Sequence, residues 1–125
     1  VMRLNSNGTV QMNIYGAGTA TFDASGNITS VSDERLKVIH GDYTCGLKEI
    51  LMLKPILYSH KAESGLETAH TYAGFGAQQV MPFIPEAVGV DQRGYLTFAD
   101  RPIIAALVNS TKELDARLTA LERGN

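Results

Sequence analysis

The chain has 125 residues, of which 44% are hydrophobic, and a formal net charge of −2 at neutral pH. That length gives one modest domain plus an appendage, with apolar content enough for a packed core. The near-balanced charge and the lack of any basic run exclude the electrostatic footprint of a nucleic-acid binder, and no apolar run approaches the roughly 20 residues that span a bilayer.

A single cysteine, Cys45, excludes an intrachain disulfide framework and reads as a small hydrophobe of the core. The chain opens on Val1 with no signal peptide. It is expected to be a piece of a longer chain, so the missing leader says little.

Residues 1–31 contain no Lys and no Glu and are rich in Gly, Ser, Thr and Asn. Within them Leu4-Asn5-Ser6-Asn7-Gly8-Thr9-Val10 aligns with Phe22-Asp23-Ala24-Ser25-Gly26-Asn27-Ile28. Each reads strand, turn, strand: an Asx residue opens the turn and Gly supplies the positive φ. Between them, Thr9 to Tyr15 alternates polar and apolar, the period of a half-buried strand. Isolated hairpins are marginal in water. The segment therefore leans on other copies of itself or ends a long β-structured shaft, which suits a fibrous, intertwined trimer.

At Ser32-Asp33-Glu34-Arg35-Leu36-Lys37 the composition changes. A Ser and a Lys five residues apart are either a nucleophile with its base or the charged start of a helix. In the second reading Ser32 or Asp33 is the N-cap and the acidic residues favour the first turn. In a regular helix Lys37 would lie about 140° around from Ser32; in an extended or irregular segment its long side chain could fold back.

Further on, Leu47, Ile50, Leu51 and Leu53 predict a short amphipathic helix with Thr44 as N-cap, stopped by Pro55. Ile56–Lys61 reads as a strand and Glu63–Glu67 as a loop. Thr71–Ala77 reads as a strand whose glycines allow close contact with a neighbour. Gln78–Met81 predicts a helical turn, and Tyr95–Phe98 another strand. Phe75, Phe83 and Phe98 are candidate core.

The tail from Pro102 to Glu122 contains no helix breaker, and Pro is at home at a first helical position. Ile104, Leu107, Thr111, Leu114, Leu118 and Leu121 recur at spacings of 3, 4, 3, 4 and 3, a heptad seam with Arg117 and Glu122 placed for a g-to-e′ pair. The first half, with its extra apolar Ile103, Ala105, Ala106 and Val108, fits the domain's own core. The second half, Thr111 to Glu122, fits contact between subunits.

His40, His60 and His70 lack metal-ligand spacing, so no metal and no cofactor is expected. Gly74-Phe75-Gly76 lacks the third Gly and the helix of a phosphate loop. Gln78 and Gln79 could donate near an oxyanion, with hydrogen bonding in a core or interface as the blander reading.

In this order, the Ser32–Lys37 start, the helix before Pro55, Tyr58-Ser59-His60-Lys61, Gly74-Phe75-Gly76-Ala77-Gln78-Gln79-Val80, Pro85-Glu86-Ala87-Val88, the Tyr95–Phe98 strand and the terminal helix, the chain resembles the peptidase S74 family. These are C-terminal intramolecular chaperones of bacteriophage tail fibres, tailspikes, endosialidases and neck appendages. The resemblance runs from Ser32 to about Glu122.

It implies an α+β fold: residues 1–31 end a β-structured fibre shaft, and residues 32–125 form a small mixed domain with a C-terminal helix over 102–122, assembled as an intertwined homotrimer. The seam would be Leu107, Thr111, Leu114, Leu118 and Leu121. The domain would register the shaft of its own chain, with no nucleic acid and no membrane as partner. It would then release itself by cutting Val31–Ser32, as a single-turnover serine peptidase of Ser-Lys type: Ser32 the nucleophile, Lys37 its base, Asp33 and Arg35 in support. The setting implied is a virion tail-fibre precursor folded in the host bacterial cytoplasm, its chaperone part released after cleavage. Residues 32–125 are short for the family, so some of its loops would be missing. A non-cleaving trimerisation cap and a receptor- or glycan-binding fibre tip are the competing expectations. The second asks for an exposed aromatic cluster, and residues 1–31 offer only Tyr15 and Phe22, with no Trp anywhere in the chain.

Overall fold

A computed structural model describes residues 2–124. It is a mixed α/β structure of small antiparallel two-stranded sheets and one long C-terminal helix. The backbone divides into two compact units, Val1–Gly41 and Asp42–Asn125.

The first unit consists of two hairpins followed by the junction segment. Strand β1 (Met2–Leu4) pairs with β2 (Val10–Met12), Leu4 opposite Val10. Strand β3 (Thr21–Phe22) pairs with β4 (Ile28–Thr29), Phe22 opposite Ile28. The two aligned heptapeptides form the same loop. In each, the Asx N–H donates to the carbonyl of the fifth loop residue and the Gly N–H donates back to the Asx carbonyl, at 2.9 and 3.0 Å in both. The glycines have φ of +85° at Gly8 and +81° at Gly26, where a side chain would be strained. None of the described residues of this unit is fully buried, and Met2, Leu4, Ile14 and Phe22 are each at least 70% exposed. The hairpins are complete in their own hydrogen bonds and have no core of their own.

The second unit holds the core. Helix α1 (Leu47–Ile50) leads to strand β5 (Ile56–Tyr58), which pairs with β6 (Tyr72–Gly74). Helix α2 (Ala77–Val80) and a 3-10 turn, Pro85–Ala87, precede the hairpin of β7 (Val88–Val90) and β8 (Leu96–Phe98). Helix α3 spans Arg101–Gly124. Val80, Ile84, Ala87, Ile103 and Ala106 form the buried cluster, with Tyr43, Cys45, Phe75 and Phe83 packed against it. Phe98 stands at the edge, 37% exposed, its ring 5.7 Å from that of Phe75.

The N-cap of α1 is Gly46, and Thr44 lies outside the helix. One long-range and one local bond make this cap. Glu113 on α3 accepts the Leu47 N–H at 2.6 Å, and Glu49 accepts the Gly46 N–H at 2.7 Å. Two free N–H groups at the helix start are thereby paired. A side chain at Gly46 would run into the Glu113 carboxylate and would lie 3.3 Å from Asn109 Cβ. The Asn109 amide in turn donates to the carbonyls of Tyr43 and Cys45, both at 2.8 Å. These contacts tie the start of the unit to α3.

Helix α3 begins at Arg101, so Pro102 is its second residue, still among the positions whose N–H has no helical partner. The helix buries Ile103, Ala106 and Ser110. This stripe lies one residue before the heptad positions Ile104, Leu107 and Thr111, which are exposed, as are Leu114, Leu118 and Leu121.

Candidate functional site

The junction Ser32–Lys37 folds as a tight turn between extended residues. Asp33 is extended, Glu34–Leu36 makes one 3-10 turn, and Lys37 leaves it extended at φ −110°, ψ 146°. Backbone bonds from the Leu36 N–H to the Asp33 carbonyl (3.0 Å) and from the Lys37 N–H to the Glu34 carbonyl (2.9 Å) close it. Because the turn is short and tighter than an α-helix, the Lys37 side chain returns over it. Its Nζ donates to Ser32 Oγ at 2.8 Å.

Asp33 caps this turn. Its carboxylate accepts the Arg35 N–H at 2.9 Å and two guanidinium donors of Arg35, Nε at 3.1 Å and Nη2 at 2.8 Å. The Arg35 side chain, and then its backbone N–H, hold the Asp33 carboxyl below the usual aspartate range; the same contact raises the Arg35 guanidinium. The Arg35 side chain lies largely in solvent and that of Asp33 is 43% exposed, so the pair orders the turn and adds little to global stability.

Upstream, Thr29 Oγ1 accepts the Val31 N–H at 3.1 Å, and Thr21 Oγ1 donates to the Thr29 carbonyl at 3.2 Å. Every residue from Val31 to His40 is exposed, with Val31 at 53% and Leu36 at 76%. Among the expected site residues, the structure brings together Ser32 with Lys37 and Asp33 with Arg35, and sets Val31 directly before Ser32. Thr29 escaped the sequence reading. The signal was a Thr two residues ahead of Val31 at a strand end, where a hydroxyl can reach the backbone N–H two residues on.

The other candidates resolve within the second unit. Gln79 clamps a loop: its Nε2 donates to the Met52 carbonyl at 2.7 Å and its Oε1 accepts the Lys54 N–H at 3.0 Å. Gln78 is exposed. His60 and His70 sit beside Tyr58 and Tyr72, and Glu67 accepts from Tyr72 Oη at 3.0 Å and from the His70 N–H at 3.0 Å. Among the described residues no group of three or more His, Cys, Asp or Glu is placed to hold a metal ion, and no helix is long and apolar enough to cross a membrane. A Cβ on Gly74 would lie 3.3 Å from the Tyr58 ring, a close approach; Gly76 faces open space.

A third copy of the hairpin loop was also missed. Val90-Asp91-Gln92-Arg93-Gly94-Tyr95-Leu96 repeats the two heptapeptides of the first unit, with Val90 opposite Leu96 and Gly94 at φ +89°. The Asx and Gly bonds recur at 2.9 and 3.1 Å. The motif was there to find in the sequence, beyond the composition boundary.

No curated protein matches the chain. A family model described as chaperone of endosialidase, peptidase S74, matches residues 32–89. The match begins at the serine that Lys37 contacts and ends before β8 and α3. Residues 32–89, just under half of the chain, thus match the model of the family that the sequence resembles, the chaperone of endosialidase.

Proposed function

We propose that the chain is a self-releasing intramolecular chaperone of a bacteriophage fibre or tailspike. Three copies assemble, the second unit and α3 hold the shaft chains in register, and the module then cuts itself off at Val31–Ser32. The observation that carries this reading is the 2.8 Å contact of Lys37 Nζ with Ser32 Oγ, across a turn that returns the lysine to the serine, at the position where the family match begins.

The chemistry follows from that contact. In its neutral form the Lys37 amine accepts the Ser32 hydroxyl proton. Ser32 Oγ attacks the Val31 carbonyl carbon. The proton passes to the Ser32 nitrogen as the C–N bond breaks, leaving an ester between Val31 and the Ser32 side chain. Water hydrolyses that ester to a Val31 carboxylate and a free Ser32. The scissile carbonyl belongs to the adjoining residue, so no pocket for a diffusing substrate is needed, and one turnover suffices.

The whole 31–40 segment is exposed in the single chain and is free to meet another copy. The exposed heptad face of α3, left over after the helix has packed on its own core, supports contact between copies. Shafts built from contacts between chains fold slowly. A terminal module raises the effective concentration of the partners, and its loss after folding leaves the shaft kinetically trapped. The setting is a virion fibre precursor folded in the host bacterium.

The same exposure favours one second reading, a trimerisation cap that never cuts. Intact-mass spectrometry on denatured, freshly purified chain separates the two. The self-release reading expects two fragments divided at Val31–Ser32 in wild type and one full-length mass in Ser32→Ala. One full-length mass in both would leave the cap.

A further inference from the structure

The upstream side of the junction carries a group that the dyad chemistry does not include. Thr29 ends β4 opposite Thr21 in the last hairpin of the first unit. Its backbone and its side chain serve different neighbours. The Thr29 carbonyl accepts the Thr21 hydroxyl at 3.2 Å, inside the hairpin, and the Thr29 hydroxyl accepts the Val31 N–H at 3.1 Å, outside it. Val31 is the residue whose carbonyl would be attacked.

We infer that Thr29 is a positioning residue for cleavage: its hydroxyl fixes the peptide unit entering Val31 and so makes the cut depend on a closed β3–β4 hairpin. This rests on the self-cleavage reading above. The physical reason is orientational. Ser32 Oγ can reach the preceding carbonyl carbon only over a narrow range of backbone angles at Val31 and Ser32, and near-attack geometry carries much of the rate in an intramolecular reaction. Holding the Val31 N–H removes one rotation on the shaft side, while the β-branched Val side chain restricts its own torsion. On the other side, the Asp33-capped turn holds Ser32 and Lys37. The scissile peptide is gripped from both ends, one grip belonging to the shaft. An open hairpin releases that grip, so cutting would wait for the last hairpin to form.

The test compares cleavage rates of the full chain by intact mass across a pH series, for wild type, Thr29→Val, Thr29→Ser and Gly26→Ala. Thr29→Val keeps the β-branched shape and deletes the hydroxyl. It is expected to cut roughly two- to tenfold more slowly, the worth of one hydrogen bond expressed as rate. Thr29→Ser restores the hydroxyl and is expected to restore the rate. Gly26→Ala, which strains the loop at φ +81°, is expected to slow the cut with Thr29 intact. Thermal unfolding of each variant on a Ser32→Ala background checks that the fold is kept. The pH at which the rate rises should be the same in wild type and Thr29→Val, since the base is untouched. Wild-type rates in Thr29→Val, equal slowing in Thr29→Val and Thr29→Ser, or a displaced pH limb would each overturn the inference while leaving self-cleavage standing. A wild-type chain that stays intact overturns both together.

Discussion

Lys37 touches Ser32 through one hydrogen bond, and arginine at that position separates the two things such a contact can do. An arginine can still donate to Ser32 Oγ across the 2.8 Å gap and keeps the positive charge. It cannot take up a proton, because guanidinium stays charged at every accessible pH. If Lys37 only holds Ser32 in place, Lys37→Arg should cut at close to the wild-type rate. If Lys37 is the base, the variant loses the whole general-base contribution, roughly 10²- to 10⁴-fold. Lys37→Met removes both charge and donor and should fall equally far. The assay is a time course of intact masses after refolding, with Ser32→Ala as the zero. A Lys37→Arg chain that cuts within about threefold of wild type would refute the base assignment, since general-base catalysis cannot survive that exchange.

Three further outcomes are expected. Leu118→Asp places a charge in the exposed heptad face; sedimentation should then show single chains where wild type assembles, and an unchanged assembly would remove the seam assignment. Gly46→Ala forces a side chain against Glu113 and Asn109 and should cost about 1–3 kcal/mol in urea unfolding, the usual range for overpacking; a neutral effect would mean that α3 yields at its closest approach. The Asp33 carboxyl is held below its ordinary value by Arg35, so its hold on the turn is fully present above the ordinary aspartate range and fades as pH falls through the depressed value. A carboxyl-carbon NMR titration of Asp33 on the Ser32→Ala background should show the low midpoint, moving up in Arg35→Ala; a midpoint at or above the ordinary value would contradict the clamp.

The local chemistry of this chain was legible and its long-range chemistry was not. The hairpin loops at Asn5 and Asp23 could be read directly because an Asx residue and a positive-φ glycine settle a turn within five residues. The helix read from Pro102 to Glu122 was legible from the absence of breakers. Which stripe of that helix meets the core was not: Ile103, Ala106 and Ser110 sit one residue before Ile104, Leu107 and Thr111, and periodicity alone gives both stripes the same spacing. The start of α1 was misplaced at Thr44 because its true cap is completed by Glu113, 66 residues away from Leu47. At the junction, the sequence offered a helix start and a nucleophile with its base as rivals. The structure holds a capped turn and a Ser–Lys contact in the same six residues, since one short 3-10 turn lets the lysine double back.

The loop shared by residues 5–9, 23–27 and 91–95 has a consequence for the order of events in time. Each closes through bonds among its own five residues and asks nothing of distant chain. Ribbons of that kind zip within microseconds, long before separate chains can find one another. In the assembly proposed above, the two ribbons of the first unit would therefore meet with their turns already set and their apolar faces still bare, and docking them would be the slow step. Glycine sets the pace at each tip: a side chain at Gly8, Gly26 or Gly94 would strain the turn and slow its closing.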